Sequence, residues 1–278
     1  MGGMKIAALQ MVSTPSVERN LDSARRLIDQ AAAAGAQLAA LPEYFCFMAA
    51  NDRDKLAIAE TPGHGPIQNA LSDAARSHGI WLIGGTLPMR QEGDGADAEF
   101  VLNASCVYAP DGRQAARYDK MHLFRYDNGR ECYDEGRVLR AGNTPVAFDA
   151  DGLRVGLSVC YDLRFPELYR SLVFAEGQRP CDLLAVPAAF THTTGRAHWE
   201  LLLRARAVEN QCYVLAPAQG GLHETGRRTW GHSMIVDPWG EVLAVRAEGE
   251  GIVVAELDTA RIASVRSQLP ALEHRRCR

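Results

Sequence analysis

Three short segments hold side chains whose types and places suit acyl-transfer chemistry. The first is Ser158-Val159-Cys160-Tyr161-Asp162-Leu163-Arg164-Phe165-Pro166-Glu167-Leu168. Cys160 ends an apolar run and Pro166 opens a helix soon after, so the thiol lies near a helix N-terminus, whose partial positive charge favours thiolate. The second is Arg117-Tyr118-Asp119-Lys120-Met121-His122-Leu123-Phe124, where Lys120 is hemmed by apolar and aromatic neighbours. A desolvated ammonium is suited to holding an oxyanion. The third is Leu41-Pro42-Glu43-Tyr44-Phe45, a carboxylate after a buried run, in the partly apolar setting that suits a general base. Each also has a plain structural reading: a packed thiol, a solvated or snorkelling lysine, and a loop glutamate paired with an arginine. Taken singly, residue type decides none of them.

The elements that must position these groups are marked by their ends. Thr14 or Ser16 caps a first helix carrying Val17, Leu21, Ala24, Leu27 and Ile28 on one face, and Gly35 stops it. Pro66 opens a second helix that ends at Gly79, and Pro166 opens a third that runs toward Gly177. A fourth covers Ala197 to Asn210, with Glu200 and Arg204 as an exposed i,i+4 pair. Short apolar runs at 5–11, 37–41, 81–84, 101–108, 155–159, 182–186, 213–216 and 234–236 read as strands covered by helices. Pro110-Asp111-Gly112 and Pro238-Trp239-Gly240 are turns between antiparallel strands.

The order of these elements repeats. Ala39-Ala40-Leu41-Pro42-Glu43-Tyr44-Phe45 parallels Leu184-Ala185-Val186-Pro187-Ala188-Ala189-Phe190, and Lys5-Ile6-Ala7-Ala8-Leu9 parallels Arg154-Val155-Gly156-Leu157-Ser158. Both halves continue with helix, strand and a Pro-x-Gly hairpin, and no linker separates them. The expected fold is α/β: a four-layer α-β-β-α sandwich of two pseudo-symmetric halves, spanning 4–258, with 259–278 as a C-terminal tail.

The composition agrees with a small-molecule enzyme. The 278 residues are 47% apolar and 23% charged, which is globular rather than disordered. A net charge of −4 without a long basic run gives nucleic acid no footing. No stretch approaches a membrane span, and the opening residues lack the apolar core of a secretory signal, so the cytoplasm is the expected compartment. Seven cysteines form no Cys-x-x-Cys pair and leave one unmatched in any disulfide framework. Cys46, Cys106, Cys181 and Cys212 read as core fillers, Cys132 as a loop residue and Cys277 as part of the tail. No His-Glu-x-x-His, Gly-x-Ser-x-Gly or nucleotide-binding glycine loop occurs, so no metal or cofactor is expected.

Taken together and in this order, the Glu43, Lys120 and Cys160 segments resemble the motifs of the nitrilase superfamily of carbon–nitrogen hydrolases, over roughly 4–257. The blocks 196–213 and 230–241 resemble the branch that holds deaminated glutathione amidase and omega-amidase. Arg164-Phe165-Pro166 and the run 218–223 point to the former. The resemblance implies that Cys160 attacks an amide carbonyl while Glu43 carries the proton to departing ammonia and then activates water against a thioester. It implies that Lys120 and the backbone N–H of Tyr161 hold the oxyanion. A second glutamate bracing the lysine matches Glu135, seven residues before Gly142, with Glu131 as the competing assignment. Arg164, Phe190 and Thr194 match substrate-carboxylate and pocket positions. The expected substrate is a small carboxylate-bearing amide, and the expected assembly a homodimer or larger homo-oligomer. The alternatives are omega-amidase, N-carbamoyl-amino-acid hydrolase, nitrilase, or a silent binding or scaffold protein.

Overall fold

Alternation along the opening strand, Met4–Gln10, assigns the two faces of the first sheet. Ile6 and Ala8 turn toward the second sheet, sharing a core with Val155 and Leu157. Ala7 and Leu9 turn the other way, onto Leu27, Ile28 and Leu71 of two helices. A strand apolar on both faces is thus sandwiched between a helical layer and another sheet. The structure, a computed structural model, describes residues 3–95 and 98–276. Cys277, expected in the tail, lies outside them.

Among the described residues six α-helices follow in chain order: α1 (Val17–Ala33), α2 (Asp54–Ala57), α3 (Pro66–His78), α4 (Pro166–Val173), α5 (His192–Asn210) and α6 (Thr259–Gln268). Ser16 caps α1 through the Arg19 N–H, and Pro66 and Pro166 begin α3 and α4. The fourth long helix starts at His192, five residues before the expected Ala197. Thr191 caps it through the Thr194 N–H. The weak helix formers Thr193, Thr194 and Gly195 hide that first turn from a propensity reading. Gly195 is required there by packing: a Cβ would lie 2.3 Å from the Trp230 side chain.

The repeat is realised as matching sheets. In the first sheet, Gly251–Leu257 pairs antiparallel with Met4–Gln10, which runs parallel to Leu38–Ala40 and then Trp81–Ile83. Val101–Tyr108 follows antiparallel. In the second, Ala147–Ala150 pairs antiparallel with Leu153–Leu157, parallel to Leu183–Ala185 and Tyr213–Ala216, and Ser233–Val236 follows antiparallel. The parallel crossovers are α1 and α3 in one half, α4 and α5 in the other. The α-β-β-α layering and both Pro-x-Gly hairpins match the sequence expectation. Cys132, expected in a loop, lies exposed at the start of a short strand, Cys132–Asp134.

Two features were not anticipated. The strand Gly251–Leu257 crosses from the second half to edge the first half's sheet, with Met4 opposite Leu257. Residues after 258 begin as α6, whose Ile262 and Val265 are buried. Among the described residues no helix is long and apolar enough to cross a membrane.

Candidate active site

Glu43 stands just beyond the strand Leu38–Ala40, and Cys160 just beyond Leu153–Leu157, at strand ends of opposite halves. Tyr44 and Cys160 both hold left-handed backbone conformations (φ 56° and 50°), a strained geometry for residues with a Cβ and one that concentrates at functional sites. The neighbouring turn is equally tight. A Cβ on Gly85 would come within 2.2 Å of the Pro42 carbonyl oxygen, so only glycine lets this loop lie under Glu43. The Cys160 N–H donates to the Pro187 carbonyl (2.9 Å), which ties the thiol turn to the strand end equivalent to that of Glu43.

Lys120 follows the hairpin strand Gln114–Asp119 and is fully buried. Its Nζ donates to Glu43 Oε1 (2.8 Å) and to both oxygens of Glu135 (3.0 and 2.8 Å). Glu135 also accepts from the Tyr44 hydroxyl (2.7 Å) and the Phe124 N–H (2.7 Å). Glu43 accepts from Asn103 Nδ2 (2.9 Å) on Oε1 and from the Ala189 N–H (3.0 Å) on Oε2. A buried ion cluster of this kind is tolerated only when its remaining donors and acceptors are satisfied, as they are here. Glu131 instead accepts from the Thr193 hydroxyl at the surface (2.9 Å), so Glu135 is the glutamate that reaches the lysine.

The electrostatics follow from this placement. Burial alone would lower the Lys120 pKa, but Glu135 and Glu43 outweigh it and hold the ammonium charged. Burial opposes ionisation of Glu135, yet the charge and hydrogen bond of Lys120 keep its carboxyl below the ordinary 4.5. Burial, and then the negative charge of Glu43, push the Cys160 thiol well above its usual range against the pull of Lys120. These effects favour the neutral thiol, and Glu43 lines the same cavity. The helix expected a few residues after Cys160 begins at Pro166, and between them Cys160–Arg164 form a 3-10 turn. Cys46, Cys106, Cys181 and Cys212 are buried and their thiols raised chiefly by burial.

These groups open on a cavity lined by Glu43, Glu135, Cys160, Tyr161, Arg164, Phe190 and Thr194 among others. Lys120 lies behind its two carboxylates. Sequence reasoning did not single out Arg227, Phe124 or Asp162. Arg227 enters from the loop of the hairpin Gly220–Leu222/Arg228–Trp230. Asp162, fully buried, accepts from the Val159 N–H (2.8 Å), the His122 N–H (3.0 Å) and the Tyr118 hydroxyl (2.7 Å). It joins the Cys160 turn to the segment carrying Lys120. Its place two residues after the thiol was the available signal. Among the described residues no cluster of His, Cys, Asp or Glu is arranged to hold a metal ion.

A buried acid–base group, a fixed ammonium and a thiol around one cavity constitute the equipment of a cysteine hydrolase. The carbon–nitrogen hydrolase family model matches residues 5–267, and the chain belongs to that family. It is 42% identical over 272 residues to a deaminated glutathione amidase of Synechocystis, covering 97% of each chain. It is 37% identical to human omega-amidase NIT2, covering 99% of this chain and 96% of that one. Among solved structures, yeast Nit3 of the nitrilase superfamily superposes with a TM-score of 0.86 at 30% identity, covering 99% of this chain and 97% of that one. The protein is an amidohydrolase.

Proposed function

We propose that the protein hydrolyses a small carboxylate-bearing amide of the deaminated glutathione class through a thioester on Cys160. The observation that carries this is the convergence of Cys160 and Glu43 on one cavity, with Lys120 Nζ bound to Glu43 Oε1 at 2.8 Å. Sulfur adds to the amide carbon as its proton passes to Glu43. The carbonyl electrons move onto oxygen, facing Lys120 and the N–H of Tyr161, near the start of a 3-10 turn where N–H groups lack partners within the turn. Losing one such donor costs roughly 3–4 kcal/mol of transition-state stabilisation. The C–N bond breaks as Glu43 returns its proton to the leaving nitrogen, forming the thioester. Glu43 next takes a proton from water, whose oxygen attacks the thioester, and the sulfur departs to regain a proton. Glu135 keeps the ammonium charged throughout. Arg164, Phe190 and Thr194 border the same cavity and are the acyl-chain contacts.

Acid release from deaminated glutathione and from omega-amides of α-keto acids tests the reading. Cys160→Ala should abolish it, and a variant with unchanged turnover would sink the proposal. The reading extends to a homo-oligomer: Leu201 and Val208 are exposed seven residues apart on one face of α5, and Val208 lies against Gly240, next in sequence to the exposed Trp239. Such apolar patches commonly mark interfaces.

A further inference from the structure

Tyr44, the residue after the base, has no step in the reaction, yet it is tied to the charged cluster. It is buried in a left-handed backbone conformation (φ 56°), and its N–H donates to Thr86 Oγ1 (2.9 Å). Strain of this kind persists only where surrounding contacts hold it. The Tyr44 hydroxyl donates to Glu135 Oε1 (2.7 Å), the oxygen that also takes a 3.0 Å bond from Lys120 Nζ. Over the Tyr44 ring, 4.5 Å from its centroid, lies Nζ of Lys55, a buried ammonium on α2. Lys55 pairs in turn with the half-exposed Asp52 (2.6 Å). Contacts thus run from Lys55 through the Tyr44 ring and hydroxyl to Glu135, and on to Lys120.

Glu135 and the oxyanion compete for one ammonium. At rest Lys120 faces two carboxylates, Glu43 and Glu135. When the thiol proton reaches Glu43, that carboxylate becomes neutral and the oxyanion replaces it as the second negative partner. Stabilisation of the oxyanion then depends on how firmly Glu135 keeps the ammonium to itself. Each donor that serves Glu135 from elsewhere loosens that hold. Besides Lys120, two do so among the described residues: the Phe124 N–H on Oε2 and the Tyr44 hydroxyl on Oε1. Burial and the charges of Glu135 and Glu43 push the Tyr44 pKa well above 10.0, so its hydroxyl keeps its proton and donates throughout. A cation on the ring face polarises the phenol and strengthens that donor.

We propose that Tyr44 is a positioning residue for the hydrolysis: its hydroxyl, backed by Lys55, takes up part of the Glu135 charge and so leaves the Lys120 ammonium available to the oxyanion. This rests on the amidase reading above, in which Lys120 holds that oxyanion.

Tyr44→Phe removes only the hydroxyl. With the amide that the unmodified protein turns over fastest, kcat should fall about tenfold while KM stays within about twofold. The charged and titratable groups around Glu135 are Lys120, Glu43, Lys55 and, in the cavity it lines, Cys160, Arg164 and Arg227. None of them changes in this variant, and Glu135 loses a donor to its ionised form. The acid limb of kcat/KM should therefore move to higher pH. Lys55→Met should lower kcat about threefold, and Lys55→Arg, which keeps a cation on the ring, should recover most of that loss. A kcat within twofold of the unmodified protein in Tyr44→Phe, a loss confined to KM, or an unmoved acid limb overturns the proposal. Should Tyr44→Phe fail to fold, the Lys55 variants decide, and equal rates in both and in the unmodified protein overturn it.

A second measurement needs no substrate. In protein with isotope-labelled glutamate carboxyls, the Glu135 resonance is identified by its loss in Glu135→Gln. It should titrate at higher pH in Tyr44→Phe, and titration at an unchanged pH overturns the proposal. A protein that turns over no amide yet shows this shift removes only the amidase reading. Active enzyme without the shift removes only the role of Tyr44.

Discussion

Glu43 and Ala188 occupy the same place in the two halves, directly after Pro42 and Pro187, while Met11 and Cys160 correspond at the ends of Met4–Gln10 and Leu153–Leu157. Each half therefore offers two strand ends and places a reactive side chain on one of them. The other is filled with a buried apolar residue, Met11 or Ala188. The doubled scaffold brings matching strand ends together, but chemistry needs the ends to differ. Two carboxylates would give no nucleophile, and two thiols no proton acceptor. Lys120 and Glu135 have no counterpart in the repeat, since both come from the connection between the halves.

Breaking the functional member of each pair should separate turnover from packing most sharply. Glu43→Gln keeps the shape but removes the proton carrier, so kcat should fall by about 10³-fold, within the range for lost general acid–base catalysis. Met11→Ala, at the place corresponding to Cys160, should leave kcat within about twofold and lower the unfolding free energy by about 2–4 kcal/mol. Denaturant titration and steady-state kinetics on both variants check this. A large loss of kcat in Met11→Ala without loss of stability would break the comparison.

The two halves are also joined by a titrating contact. His223 Nδ1 lies 2.8 Å from the Ser13 carbonyl oxygen and Nε2 2.8 Å from Thr229 Oγ1. Burial, with help from Arg227, pushes its pKa down from 6.5 to about 4. Between those values the unfolded chain binds a proton that the folded chain refuses. His223 thus weakens folding progressively as pH falls from 6.5 toward 4, by about 3 kcal/mol in all, and has no such effect above 6.5. Unfolding curves of the protein and of His223→Gln across that window should differ by this slope; parallel curves would refute it.

The smallest predicted effect concerns the strut between the Cys160 turn and the Lys120 segment. Asp162→Asn preserves shape but weakens its charge-assisted hydrogen bonds. We expect kcat to fall about tenfold with KM nearly unchanged and Cys160 alkylation slowed. A change confined to KM would contradict a positioning role.

Much of the architecture was readable because its signals are local. Caps, prolines and apolar runs marked α1, α3, α4 and the central parallel strands, and the strand–Pro motif exposed the repeat. The edge strands were harder: in Val242–Arg246, Leu243 and Val245 point outward, so no buried run announces the strand. The pairing of Gly251–Leu257 with the chain's first strand joins opposite ends of the molecule, and no local pattern encodes it.

The same division holds for the site. Sequence alone determined which residue types were available and in what order: one thiol at a strand end, a hemmed lysine and a carboxylate after Leu41-Pro42. Tertiary structure decided their states and partners. Glu131 and Glu135 lie four residues apart, yet only Glu135 turns inward to Lys120. Cys160 opens a 3-10 turn and shares a cavity with Glu43, and Arg227 becomes a cavity wall. The reason is physical. Residue type and propensity act over a few neighbouring residues, whereas charge pairing and desolvation depend on what the fold brings within a few ångströms across tens to hundreds of residues.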